Sequence, residues 1–124
     1  MRLTLTMTVT AIGSLLFGLA YLLVPASVAS LYGITLDPSS QYARYFGSAL
    51  LGFAAILWLG RKVPSGPALR AILVGSLVAS ITGLVVAVFQ ALNGTGNALV
   101  WSTVIIYLLL SLGFADFVFR TPPP

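Results

Sequence analysis

Long apolar stretches separated by short polar turns constrain this chain more than any other feature of its sequence. The stretches cover residues 4–24, 42–60, 68–92 and 98–119. Each is close to the ~20 residues that an α-helix needs to cross the ~30 Å hydrocarbon core of a bilayer. They lack the alternation of apolar and polar residues that strands of a membrane β-barrel show. The sequence therefore predicts four transmembrane helices.

Prolines and glycines mark the ends of these helices. Pro25 ends the first stretch, and residues 61–67 contain two prolines after the second. Proline has no backbone N–H and clashes with the preceding helical turn, so a helix is not expected to continue there. Residues 93–97 read Asn-Gly-Thr-Gly-Asn, a composition that favours tight turns. Because short turns reverse the chain, we expect an all-α, antiparallel four-helix membrane bundle that forms a single transmembrane domain over residues 1–124.

The connection between the first two predicted helices is long enough to hold structure of its own. Residues 26–32 predict a short helix at the membrane interface, with its apolar side on the bilayer. Residues 26–29, Ala-Ser-Val-Ala, also resemble a signal-peptidase site. We favour an uncleaved first helix, because the preceding apolar run is longer than the hydrophobic region of a typical signal peptide.

Composition supports the membrane class. Only 6% of the residues are charged and 59% are hydrophobic, whereas an ordinary soluble domain is about 25% charged. The net charge of +4 comes from six basic and two acidic residues spread thinly beside the apolar runs. We therefore attribute the charge to membrane topology and expect no nucleic-acid partner.

Basic residues predict the orientation in the membrane. If four spans alternate in direction, the amino terminus, the turn after the second span and the carboxyl terminus share one side. That side carries Arg2, Arg61, Lys62, Arg70 and Arg120, whereas the other side carries Arg44 alone. The positive-inside rule then places both termini in the cytoplasm.

Missing residue types limit the chemistry. The chain has no cysteine and no histidine, so it lacks disulfides, thiolate ligands and the commonest general base. We find neither a nucleophile paired with a base nor a metal-ligand cluster nor a phosphate-binding glycine loop in the sequence. We therefore expect a protein that is not an enzyme, with no cofactor and no metal.

Small residues spaced by four along the third span predict a helix-packing face. Such a face lets another helix approach closely, and close packing drives helix association in lipid. Ser14 and Gly18 on the first span, and Ser48 and Gly52 on the second, offer matching surfaces. We favour packing within the protein's own core, and contact with another subunit is the alternative. The predicted face consists of Gly75, Ala79, Gly83 and Ala87.

Asp116 is the only acidic residue within a predicted span, and Arg120 follows it by four residues. This spacing favours an ion pair along a helix. We predict a buried structural ion pair, with a proton-relay role for Asp116 as the alternative.

Arg44 and Asp37 are the only charged residues predicted on the outer side. We expect Arg44 to pair with Asp37, with a lipid phosphate or an anionic ligand as the alternative partner. Aromatic residues belong near this boundary. Tyr21, Tyr45 and Trp101, together with Arg44, would line the mouth of a site for a ligand or a lipid.

Residues 42–47, Tyr-Ala-Arg-Tyr-Phe-Gly, are followed by a helix rich in small residues and by the basic turn Arg61-Lys62. This layout resembles the DoxX-like small four-helix membrane proteins, which often have an arginine and then a glycine at the start of helix two, as Arg44 and Gly47 stand here. The resemblance implies a four-helix fold and a bacterial inner membrane. Some members are tied to thiol oxidation, which this cysteine-free chain does not support.

The sequence thus predicts a non-catalytic accessory or structural subunit that packs against other membrane proteins, itself or membrane lipid. One alternative is a binder or carrier of an apolar small molecule such as a lipid or quinone. Another is a small proton-coupled transporter that acts as an oligomer and depends on Asp116.

Overall fold

A computed structural model describes residues 2–35, 41–94 and 96–120. Over these residues the chain is all-α and forms five helices. They are α1 (Arg2–Leu23), α2 (Pro25–Leu31), α3 (Gln41–Gly60), α4 (Pro67–Leu92) and α5 (Val100–Arg120). The predicted helices, including the short one after the first span, are confirmed, with each end of the long helices within two residues of its predicted position.

Within the described residues, α1, α3, α4 and α5 are long and apolar enough to cross a membrane. The predicted transmembrane class is supported by the length and the composition of these helices together.

Prolines begin two helices. Pro25 is the first residue of α2, and Pro67 is the first residue of α4. Proline suits this position because its fixed φ is helical and its missing N–H has no intrahelical partner there. Val24, which precedes Pro25, has a φ of −136° and separates α1 from α2.

Gly33 ends α2, as its sequence position predicts. It has a φ of +69°, which favours glycine. Its N–H donates to the Ser30 carbonyl and the Ile34 N–H donates to the Ala29 carbonyl, both at 3.0 Å. These two bonds form the Schellman arrangement, which satisfies the last carbonyls of a helix.

The chain divides into two compact units, Met1–Lys62 (the first unit) and Val63–Pro124 (the second unit). In the first unit α3 packs on α1, and α2 also contacts α1; in the second unit α4 packs on α5. The assembly of all the helices into a single domain stays a prediction.

Buried residues in both helix pairs recur at alternating steps of three and four. On α1 they include Met7, Ala11, Ser14 and Gly18, and on α4 they include Leu69, Leu73, Ser76 and Ser80. This spacing follows the contact line between helices that cross at a shallow angle, as in coiled coils. Each pair therefore packs along a narrow seam and leaves the rest of each helix surface outside it.

Candidate functional site

The α1–α3 seam contains a close contact between Gly18 and Gly47. A Cβ atom added at Gly47 would lie 2.7 Å from the Gly18 carbonyl oxygen and 2.8 Å from the Leu22 nitrogen. A Cβ atom added at Gly18 would lie 3.0 Å from the Gly47 oxygen. The backbones of the two helices therefore meet here. A Cβ atom at Gly47 would overlap backbone atoms of α1, whereas a Cβ atom at Gly18 would make a tight contact. The late turns of α1 meet the early turns of α3, so the pair is antiparallel.

In the α4–α5 seam, the ring of Tyr107 lies against Gly83. A Cβ atom at this position would lie 2.6 Å from the Tyr107 Cζ and 2.7 Å from its Cδ1. This contact joins a backbone to a side chain, unlike the glycine pair of the first unit.

Serines line the same α4–α5 seam. The Ser76 hydroxyl donates to the Ile72 carbonyl and the Ser80 hydroxyl donates to the Ser76 carbonyl, each at 2.8 Å. These bonds satisfy the hydroxyls within their own helix. The buried Ser111 hydroxyl has no hydrogen-bond partner in the described part of the chain.

The structure divides the predicted packing face of α4. Ala87 is buried and Gly83 contacts α5, but Gly75 and Ala79 are exposed. Steps of four residues rotate by about 40° each around a helix, so a row with that spacing leaves the seam after two residues. Gly75 and Ala79 thus lie outside the contact with α5, and their packing elsewhere in the protein or against another subunit stays a prediction.

The surfaces predicted to match the packing face of the third span lie in different surroundings. Ser14 and Gly18 are buried, whereas Ser48 and Gly52 are exposed. Gly47, one position before Ser48, makes the contact with α1. One residue turns the helix by about 100°, so the predicted α3 face points away from α1.

Arg44 contacts the end of the neighbouring helix. Its Nη1 donates to the Leu22 carbonyl oxygen at 2.6 Å, although the side chain is exposed. Leu22 lies in the last turn of α1, where carbonyls lack intrahelical partners and carry the negative end of the helix dipole. The predicted partner, Asp37, lies outside the described residues.

Arg70 makes the equivalent contact in the second unit. Its Nη1 donates to the Val118 carbonyl oxygen, in the last turn of α5, at 3.1 Å. Arg44 and Arg70 are each the fourth residue of their helix. The sequence analysis did not predict these two contacts. An arginine in the first turn of a helix that has an antiparallel neighbour is the signal that could have indicated them.

The aromatic residues predicted near Arg44 are in different surroundings. The Tyr21 ring packs edge-on against Phe46, with centroids 5.2 Å apart. Tyr45 is exposed, and its hydroxyl accepts a long 3.5 Å hydrogen bond from Gln41. Trp101 is exposed and belongs to the second unit. Tyr21, Arg44 and Tyr45 thus share the first unit, and their role in ligand or lipid contact stays a prediction.

Arg61, at the end of α3, makes a set of contacts that sequence reasoning missed. Its guanidinium lies 3.6 Å from the centroid of the Trp58 ring. Its Nε donates to the Trp58 carbonyl at 3.0 Å, and its Nη1 donates to the Thr8 hydroxyl of α1 at 3.4 Å. A tryptophan three residues before an arginine at a helix end is the signal that could have indicated this arrangement.

Asp116 and Arg120 form an ion pair with a 2.7 Å contact between Oδ1 and Nε. The Arg120 side chain is 81% exposed and the Asp116 side chain is 47% exposed. Because Phe114 and Val118 face the seam, Asp116 midway between them points to the opposite side of α5. The predicted burial of this pair inside the protein is therefore wrong.

Within the described residues, no group of three or more metal-ligating side chains lies close enough to hold a metal ion. No family model matches the chain, and no curated protein or solved structure matches it. The candidate sites are therefore defined by this chain's own contacts: two close helix crossings, two arginines bonded to helix ends and the Arg61–Trp58 stack.

Proposed function

We propose that the protein is a non-catalytic integral membrane protein that acts as an accessory or structural subunit. The observation that carries this proposal is how little of each spanning helix the chain itself covers. Only 17% to 28% of the most apolar 18-residue window of each candidate span is buried. The remaining apolar surface requires the other unit, lipid, another membrane protein or a second copy of this chain.

The exposed side of α4 supports a protein partner. A Cβ atom added at Gly75 would meet nothing within 4 Å, and Ala79 is exposed one turn further along. Small residues on an outer helix face allow the backbone of a second helix to approach closely. The subunit proposal therefore uses the part of the predicted packing face that the contact with α5 leaves open.

The setting that we propose is a bacterial inner membrane with both termini in the cytoplasm. The distribution of basic residues supports the orientation, because five of the six lie on the predicted inner side. The DoxX-like resemblance of residues 42–47 supports the bacterial setting.

Native mass spectrometry of the protein, extracted gently from its own membrane, tests the proposal. We expect an assembly of defined stoichiometry that contains either another membrane protein or further copies of this chain. Gly75→Leu should weaken that assembly, because the added side chain separates α4 from a partner without a clash inside this chain. Gly13→Leu is the matched control, since Gly13 is also a helical glycine with nothing within 4 Å of an added Cβ atom and is not part of a predicted packing face.

A monomer under gentle extraction, with no partner protein, would contradict the subunit proposal. A monomer that carries a discrete extra mass would instead favour the binding of an apolar small molecule, with Tyr21, Arg44 and Tyr45 as the residues to test. Proton-coupled transport depends on Asp116, so Asp116→Asn should abolish transport if that alternative is right.

A further inference from the structure

We propose that Arg61 and Lys62, at the carboxyl end of α3, bind the phosphate headgroup of an anionic phospholipid. This site is independent of the proposed subunit function, since it uses contacts within the first unit only.

The Arg61 side chain is fixed in place before any ligand arrives. The Trp58 ring holds one face of the guanidinium, while the Trp58 carbonyl and the Thr8 hydroxyl accept two of its hydrogen bonds. A guanidinium carries five N–H donors, so three remain for a phosphate. A planar group held this way loses little conformational entropy when it binds a phosphate through two parallel hydrogen bonds.

Positive charge at this end of α3 has no acidic neighbour in the described part of the first unit. Lys62 is exposed and directly follows Arg61, and the described residues of the unit contain no aspartate or glutamate. In the sequence, Asp37 precedes α3, whereas Arg61 follows it. Asp116, the other acidic residue of the sequence, is paired with Arg120. The two adjacent cations therefore favour an anion from outside the protein.

Apolar surface beside these cations favours a lipid over a soluble phosphate. Trp58 is 46% exposed and Leu59 is 71% exposed. Tryptophan prefers the depth at which headgroups meet acyl chains. A phospholipid fits both features, because its phosphate reaches Arg61 and Lys62 while its chains lie along Trp58 and Leu59.

Tryptophan fluorescence can test this site directly, because the chain has two tryptophans. Trp101→Phe leaves Trp58 as the only reporter. The protein is reconstituted in phosphatidylcholine vesicles that contain either brominated phosphatidylglycerol or brominated phosphatidylcholine, at equal bromine content. We expect stronger quenching of Trp58 by the brominated anionic lipid, and the ratio of the two quenching constants measures the preference.

Substitutions then assign the preference to the site. Each basic side chain near an anionic surface is worth roughly fivefold in binding, so Arg61→Gln should lower the preference by about that factor. Lys62→Gln should have a similar effect without disturbing the fold, because the Lys62 side chain is exposed. Arg120→Gln, which removes an exposed basic side chain of the second unit, is the matched control and should leave the preference unchanged. Far-ultraviolet circular dichroism confirms that each variant keeps its helices.

Equal quenching by the two lipids would overturn the proposal. So would a preference that survives both Arg61→Gln and Lys62→Gln in folded protein. Inorganic phosphate, compared with sodium chloride at the same ionic strength, should leave the preference intact. A selective loss in phosphate would show a site for the free anion and would overturn the assignment to a lipid.

Discussion

The two units build an antiparallel helix pair in different ways. In the first unit, Gly18 and Gly47 bring the backbones of α1 and α3 into contact. In the second unit, α4 and α5 meet where the Tyr107 ring lies against Gly83. A backbone contact can be relieved only by moving a helix, whereas a side-chain contact can be relieved by replacing the side chain. The first unit should therefore tolerate substitution at its crossing less well.

Each helix pair also has an arginine that binds the end of the neighbouring helix, but the two contacts lie at different ends of the pair. Arg44 lies on α3 and donates a hydrogen bond to the last turn of α1, the helix that precedes it. Arg70 lies on α4 and donates a hydrogen bond to the last turn of α5, the helix that follows it. Both contacts neutralise carbonyls in the last turn of a helix. An arginine in the first turn of one helix can therefore bind the last turn of its neighbour at either end of a helical hairpin.

The largest effect is expected for Gly47→Ala. The new methyl group would overlap backbone atoms of Gly18 and Leu22, so α1 and α3 must separate. We expect a loss of about 2–3 kcal/mol in the free energy of unfolding, measured by reversible detergent denaturation. Gly52→Ala, at an exposed position of the same helix, should change it little. Equal effects of the two substitutions would refute a glycine contact at this crossing.

Gly83→Ala should cost less, about 1–2 kcal/mol, since the Tyr107 ring can shift. The comparison becomes sharper in the double variant with Tyr107→Leu, which removes the ring from the glycine. We expect a coupling energy of about 1 kcal/mol between these two substitutions in the same unfolding assay. Strictly additive losses would mean that Tyr107 does not occupy the space beside Gly83.

Arg44→Gln and Arg70→Gln should each lower the free energy of unfolding by about 1 kcal/mol, through the lost hydrogen bond to a helix end. Hydrogen exchange should locate the loss, with faster exchange in the last turn of α1 for the first variant and of α5 for the second. Exchange that accelerates in the same helix for both variants would contradict the two separate contacts.

The smallest effect is expected for Asp116→Asn. Exposed ion pairs four residues apart in a helix contribute less than about 0.5 kcal/mol. Stability should therefore remain nearly unchanged, and high salt should have little effect on the difference between the variant and the original protein. A loss above about 2 kcal/mol would indicate a buried charge instead.

The positions of the helices could be predicted from the sequence because prolines and glycines act locally. Pro25, Pro67 and Gly33 fix helix ends through φ and the backbone N–H, without reference to the rest of the protein. The faces of the helices were harder to predict. Every side of a membrane helix is apolar, so hydrophobicity does not distinguish the seam from the lipid-facing surface.

Small residues do not resolve that ambiguity by themselves. Gly47 and Ser48 are neighbours on different faces of α3, and only the structure shows that Gly47 meets α1. On α4, a spacing of four residues placed Gly75 and Gly83 on one predicted face. The seam instead follows alternating steps of three and four residues. The hydrogen-bond partners of Arg44 and Arg61 were also hard to predict. They are backbone carbonyls and a hydroxyl, groups that occur throughout the sequence.

Disulfide cross-linking in native membranes tests the central claim, that α1 and α3 pack through Gly18 and Gly47. The chain has no cysteine, so an introduced pair has no background. A Cβ atom at Gly18 would lie 3.2 Å from the Leu50 Cβ, close to the roughly 3.5–4.5 Å of a disulfide. We predict that Gly18→Cys with Leu50→Cys cross-links readily, whereas Gly13→Cys with Gly52→Cys, on other faces of the same helices, does not. Cross-linking of the second pair but not the first would contradict the account.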